Sequence, residues 1–137
     1  MVLGGVYMFN NTVTIVTYDE KTNSIIKSVL TNVYLERKVG VTLSESGENT
    51  ASNAVLYVPL NKNCFSEKYY EPKKYEALNL DEKANAITFK KGQLIVLGKS
   101  VEGKNMNEIE NLNDNVFRIL DVSTYDDVLP HIEITCK

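Results

Sequence analysis

The segment Thr12-Val13-Thr14-Ile15-Val16-Thr17-Tyr18 constrains the fold more than any other part of the chain. Every residue in it is β-branched or aromatic, a composition that suits a pleated surface and crowds a helix. Alternation with a period of two, not the helical period, recurs down the rest of the sequence. Asp19-Glu20-Lys21-Thr22-Asn23 follows as a polar turn. A long strand from Ile25 to Glu36 then places Ile25, Val29, Val33 and Leu35 on one face and Ser28, Asn32 and Glu36 on the other. Together these segments predict an N-terminal antiparallel hairpin.

From Val39 to Asn53 the pattern breaks. Gly40, Ser44, Glu45, Ser46, Gly47, Glu48, Asn49, Thr50 and Ser52 can bury little, so residues 39–53 read as a long flexible loop. Ala54 to Val58 is a short strand that Pro59 ends, because proline cannot donate to a ladder. Asn61 to Tyr70 has no clear period. Glu71 to Leu78 predicts a short helix with Pro72 at its first position and Tyr75 and Leu78 on one face. Ala86–Phe89 and Gln93–Leu97 are strands around a Lys90-Lys91-Gly92 turn. Asn105 to Leu112 predicts a second helix, with Asn105 as cap, Glu108 completing a capping box, and Met106, Ile109 and Leu112 sharing a face. Val116 to Val122 reads as a central strand, apolar on both faces, followed by a turn over Thr124–Leu129. Pro130 opens a last strand in which Ile132, Ile134 and Cys136 point inward. The count is about seven strands with one or two short helices. That predicts a mainly β fold, a small antiparallel barrel or sandwich, as a single domain over residues 1–137. Met1 to Phe9 is expected to form an arm or a first strand.

A length of 137 residues, with 43% hydrophobic and 24% charged residues, suits one globular domain with a real core. No apolar run approaches the roughly 18–20 residues of a membrane span, so no membrane partner is expected. The N-terminal stretch lacks a basic region and a cleavage site, so it is not expected to act as a secretion signal. The net charge of -3 argues against a conventional nucleic-acid binder but suits a wall that DNA passes without adhering. Cys64 and Cys136 show no metal-ligand spacing; two free thiols are expected, with a disulfide between them as the alternative.

Candidate chemistry is sparse. His131 is the only histidine, and no nucleophile or orienting acid is marked around it. Its place at the start of the last strand, outward by parity, gives it a surface or structural role. Cys64 lacks any motif that would make it a nucleophile paired with His131. Asp114, Asp121 and the Asp126-Asp127 pair do not have calcium-loop spacing. Gly4-Gly5 and Lys90-Lys91-Gly92 lack the glycine spacing of a phosphate loop. The eight tyrosines are scattered, with only Tyr69-Tyr70 adjacent, which favours packing over base stacking. No catalytic residue, cofactor or metal is predicted, and the chain is not expected to be an enzyme. The segments left over are the long loop, with Val41, Leu43, Glu45, Ser46, Gly47, Glu48 and Asn49, and the N-terminal arm, with Val6, Tyr7 and Phe9. Both are candidates for ordering against a neighbouring subunit or a channel.

The order of features also carries a resemblance. A Thr-Val-Thr-Ile-Val strand is followed by Asn32-Val33-Tyr34-Leu35-Glu36-Arg37-Lys38, a Gly/Ser-rich loop and Val55-Leu56-Tyr57-Val58-Pro59. Then come Ile87-Thr88-Phe89-Lys90-Lys91-Gly92-Gln93-Leu94-Ile95-Val96-Leu97-Gly98 and a final His131-Ile132-Glu133-Ile134. This layout resembles small minor capsid or head–tail connector proteins of phages and prophages of Gram-positive bacteria. The resemblance spans most of the chain and implies a β-barrel neck subunit of the virion, made in the host cytoplasm, of the head-completion or stopper kind. It implies a homo-oligomeric ring, hexameric or dodecameric, around the DNA channel, in contact with portal or adaptor and tail proteins. It offers no catalytic residues. A tail terminator or tail-completion protein, and a non-viral small barrel that binds nucleic acid or peptide, are the alternatives.

Overall fold

The computed structural model describes residues 10–37, 54–60, 62–126 and 128–137. Its strands are β1 (Asn11–Asp19), β2 (Ser24–Arg37), β3 (Ala54–Pro59), β4 (Lys68–Tyr69), β5 (Ala86–Ile87), β6 (Leu94–Leu97), β7 (Val116–Tyr125) and β8 (His131–Cys136). Three short helices, α1 (Pro72–Glu76), α2 (Leu80–Lys83) and α3 (Met106–Leu112), lie between them. Six strands close into an antiparallel barrel in the order β1-β2-β3-β8-β7-β6, so the alternative of a sandwich is excluded. Closure pairs the edges that an open sheet of this size would leave exposed. β4 and β5 form a separate two-residue parallel pair, so the expected Ala86–Phe89 strand is shorter than its sequence suggests.

The β1–β2 hairpin forms as expected, but the inward face of β2 differs from simple alternation. Val13 pairs with Leu30 while Asn11 pairs with Val33, so β2 carries one extra residue. Asn32 absorbs it with φ 57, a left-handed conformation that asparagine tolerates better than branched residues do. The parity therefore flips. Ser28 and Leu30 point inward before the bulge, Val33 and Leu35 after it, and Val29 is 39% exposed. The bulge is held from both sides: Thr31 N–H donates to the Cys64 carbonyl, outside the hairpin, at 2.8 Å, and Leu35 N–H donates to Asn11 Oδ1 of β1 at 2.9 Å.

A second register shift, between Ile119 and Asp121, does the same for β7. Ile119 and Val122 face the core, and Leu120 is only half-buried. Thr124 and Tyr125 pair with Ile132 and His131, so they belong to the strand and not to a turn. β7 is central, as expected, paired with β6 and β8, but the shift breaks its simple alternation: Phe117, Ile119 and Val122 pack on the main core and Val116 on the outer cluster under α3.

The barrel interior is filled by Val13, Ile15, Leu30, Leu56, Val58, Ile95, Ile119, Ile132 and Ile134, with Phe89 and Cys64 packed against them. β1 and β6 are buried on both faces. Their outer face, Val16, Leu94 and Val96, is covered by Ile109 of α3, with Met106 and Val101 alongside. Leu112, expected on the same helical face, is 57% exposed, because α3 meets the sheet through Met106 and Ile109 only. Asn105 caps α3 by accepting from Glu108 N–H, but the Glu108 carboxylate takes the N–H of Lys104 instead of completing the expected box.

Both cysteines are free and buried. Cys64 Sγ donates to the Pro59 carbonyl and Cys136 Sγ to the Ala54 carbonyl, each at 3.5 Å. Those carbonyls stand at opposite ends of β3, roughly 17 Å apart at the rise of a strand, too far for a disulfide between the two thiols.

Candidate assembly surfaces

Toward the β1–β2 turn the inward side chains of the barrel become polar. Gln93 donates from Nε2 to Thr17 Oγ1 and to the Thr88 carbonyl, both at 2.9 Å, while its Oε1 accepts from Lys90 N–H at 2.7 Å. One position further along β1 on the same face, Asp19 receives Lys83 Nζ at 2.7 Å, and both side chains are almost fully buried. Lys83 comes from α2, which Asn79 starts with a full capping box against Glu82. Its ammonium also lies 5.3 Å from the Tyr75 ring centroid and 3.6 Å from Glu76. Glu76 in turn pairs with Lys90. The Lys83 hydrogen bond, then that from Thr22, holds the Asp19 carboxyl below the ordinary range. Lys90 does the same for Glu76, while burial pushes the Tyr75 hydroxyl up to about 12. These charges pair within the cluster, which closes the barrel end.

Beside this closure lies a cleft of about 320 Å³ lined by Asp19, Lys21, Thr22, Ala77, Leu78, Asn79, Leu80 and Lys83. Leu80 is 41% exposed at its rim. Lys21 donates from Nζ to the Glu76 carbonyl at 2.9 Å. Asp19 balances Lys83, so Lys21 carries the one charge that no carboxylate among these lining residues offsets.

On the far side, β2, β3, β8 and β7 present an aromatic and acidic outer face. The register aligns Tyr34, Tyr57, Glu133 and Ser123 in one row and Glu36, Val55, Thr135 and Asp121 in the next. Tyr34 and Tyr57 stack at 5.8 Å, and the Tyr57 hydroxyl donates to Glu36 at 3.1 Å. Burial and the Glu36 carboxylate raise the Tyr57 hydroxyl to about 12. His131 stacks on Tyr125 at 4.8 Å, with Nε2 2.9 Å from Glu133 and Nδ1 2.7 Å from the Leu129 carbonyl. No lysine or arginine stands among these positions, so the face is negative.

The β7–β8 connection projects from the end of that face. Val128 is 92% exposed and Leu129 67%, with Tyr125 and Leu60 beside them at 40% and 41%. Leu60 belongs to the same tip because its N–H donates to the Pro130 carbonyl at 3.0 Å. These side chains form an exposed apolar patch at the tip.

Val41, Leu43, Glu45, Ser46, Gly47, Glu48 and Asn49 of the loop, and Val6, Tyr7 and Phe9 of the arm, lie outside the described residues. His131 stands at the start of β8, facing outward as its parity predicts, and it is locked between Glu133 and Leu129. Cys64 points its thiol at the Asn32 and Pro59 carbonyls, so the two do not form a nucleophile–base pair. Among the described residues no group of three His, Cys, Asp or Glu side chains is placed to hold a metal, and no helix is long and apolar enough to cross a membrane. The Lys83–Asp19 closure and the Val128–Leu129 tip went unread. Asn79-Leu80-Asp81-Glu82 is a capping-box sequence that signals α2, and Val128-Leu129 inside a polar turn is an apolar pair out of place.

Fold and surfaces together define a small closed β-barrel with a buried ionic closure at one end and an exposed apolar tip at the other. The chain belongs to a family of unknown function, DUF6751, whose model matches residues 8–137. No curated protein and no solved structure matches it.

Proposed function

We propose that this chain is a structural virion subunit of a tailed phage, a head–tail connector or neck protein that assembles into a ring around the DNA channel. The observation that carries the self-assembly is the tip, where Leu60, Tyr125, Val128 and Leu129 are held in solvent by a rigid barrel. Leaving such side chains in water costs free energy that association recovers. The acidic face with Glu36, Asp121 and Glu133 supports the placement around DNA, since a negative wall repels phosphate and lets the duplex pass. The net charge of -3 acts in the same sense. The resemblance of the sequence layout to minor capsid and connector proteins supports the choice of a phage particle.

The test is to image the purified chain, alone and mixed with a portal–adaptor assembly, by electron microscopy. Rings of uniform diameter, or added density on the assembly, are expected. Featureless monomers in both preparations would refute the proposal.

A further inference from the structure

We infer that the apolar tip of one copy seats in the Leu78–Leu80 cleft of the next copy, making the contact between subunits head-to-tail. The inference rests on the self-assembly just proposed and names the two surfaces that carry it. The occupant is a second copy of this chain because the two surfaces match in size, polarity and charge. The tip offers Val128 and Leu129, both more than half exposed. The cleft offers Ala77, Leu78 and Leu80 around about 320 Å³, the scale of one or two aliphatic side chains and too small for a helix. Asp126 flanks the tip as an exposed carboxylate, and Lys21 flanks the cleft as the unbalanced cation of its lining. Opposite charges at the rim of an apolar contact fix its orientation.

The placement of the two surfaces sets the symmetry. Cys64 Sγ lies 3.5 Å from both the Asn32 and Pro59 carbonyls, so Asn32 marks the tip end of the barrel. Ser24 pairs with Asp19 in the cleft wall, eight residues from Asn32 along β2. At the rise of a strand the two surfaces are roughly 26 Å apart. One copy therefore cannot satisfy its own tip, and a head-to-tail contact leaves the second surface of each copy open to the next. Distinct surfaces on one subunit generate rings or open chains.

Complementation tests this. Val128→Asp spoils the tip and leaves the cleft, while Leu80→Asp spoils the cleft and leaves the tip. Both positions are exposed, and circular dichroism of each variant would check that it folds. Each alone should self-associate at least roughly tenfold more weakly than the unmodified chain, measured by native mass. An equimolar mixture should give dimers and stop there, because only one intact tip–cleft pair exists. If either variant assembles like the unmodified chain, other surfaces make the contact and this inference fails while self-assembly stands. If the mixture stays monomeric, or Val128→Cys oxidises to itself in preference to Leu80→Cys, the head-to-tail pairing is wrong. An unmodified chain that stays monomeric overturns both.

Discussion

The residue with the largest structural consequence is Lys83, a buried cation whose partner Asp19 is equally buried. Removing one member leaves the other desolvated and unpaired. Lys83→Ala should destabilise the fold by about 3–5 kcal/mol in denaturant titrations, and changing Asp19→Asn with Lys83→Met together should recover much of that loss. The same pair gives the pH dependence its sign. Asp19 and Glu76 are held below their ordinary values of 3.8 and 4.5, through Lys83 and Lys90 respectively. The unfolded chain thus binds more protons than the folded one in mild acid. Their contribution is complete above about pH 5 and is lost as the pH falls through the folded values. Melting temperature against pH should show that plateau and decline, and Asp19→Asn should flatten the slope. The thiols behave oppositely: burial pushes Cys136 up to about 12 and raises Cys64. Neither should react with a thiol-specific reagent in the folded protein at neutral pH, and both should react in denaturant.

At the level of elements, the hairpin, the helices α1 and α3 and the last strand were legible because each has a local cause: β-branched alternation, Pro72 at a helix start, Asn105 as a cap. The inward face of β2 was not legible. Alternation from Ile25 predicts Val29 inside, whereas the bulge at Asn32 brings Leu30 inside, and that bulge is held by hydrogen bonds to the Asn11 side chain and the Cys64 carbonyl. No window of sequence around Asn32 contains those partners. Asn32→Val should cost about 1–3 kcal/mol through its left-handed backbone, and Asn32→Gly should be nearly neutral, as measured by chemical denaturation. The approach of α3 to its loop is equally specific. A Cβ at Gly103, whose φ is 122, would lie 2.8 Å from the backbone nitrogen of Ile109. Gly103→Ala should therefore lower the melting temperature, whereas the exposed Leu112→Ala should not.

For the whole molecule, composition and period gave a mainly β single domain, and only the long-range register decided that it closes as a barrel. The site followed the same division. The outward place of His131, the lone histidine, at the start of the last strand could be read from the sequence. The apolar tip could not, because Val128 and Leu129 become a surface only once Leu60 and Tyr125 are folded beside them. The central claim is that these side chains exist to be covered by another copy. Sedimentation velocity of the intact chain from low to high micromolar concentration tests it most directly. The account predicts a shift from a 15.4 kDa species to a discrete multiple of that mass. A single monomeric boundary at every concentration would contradict it.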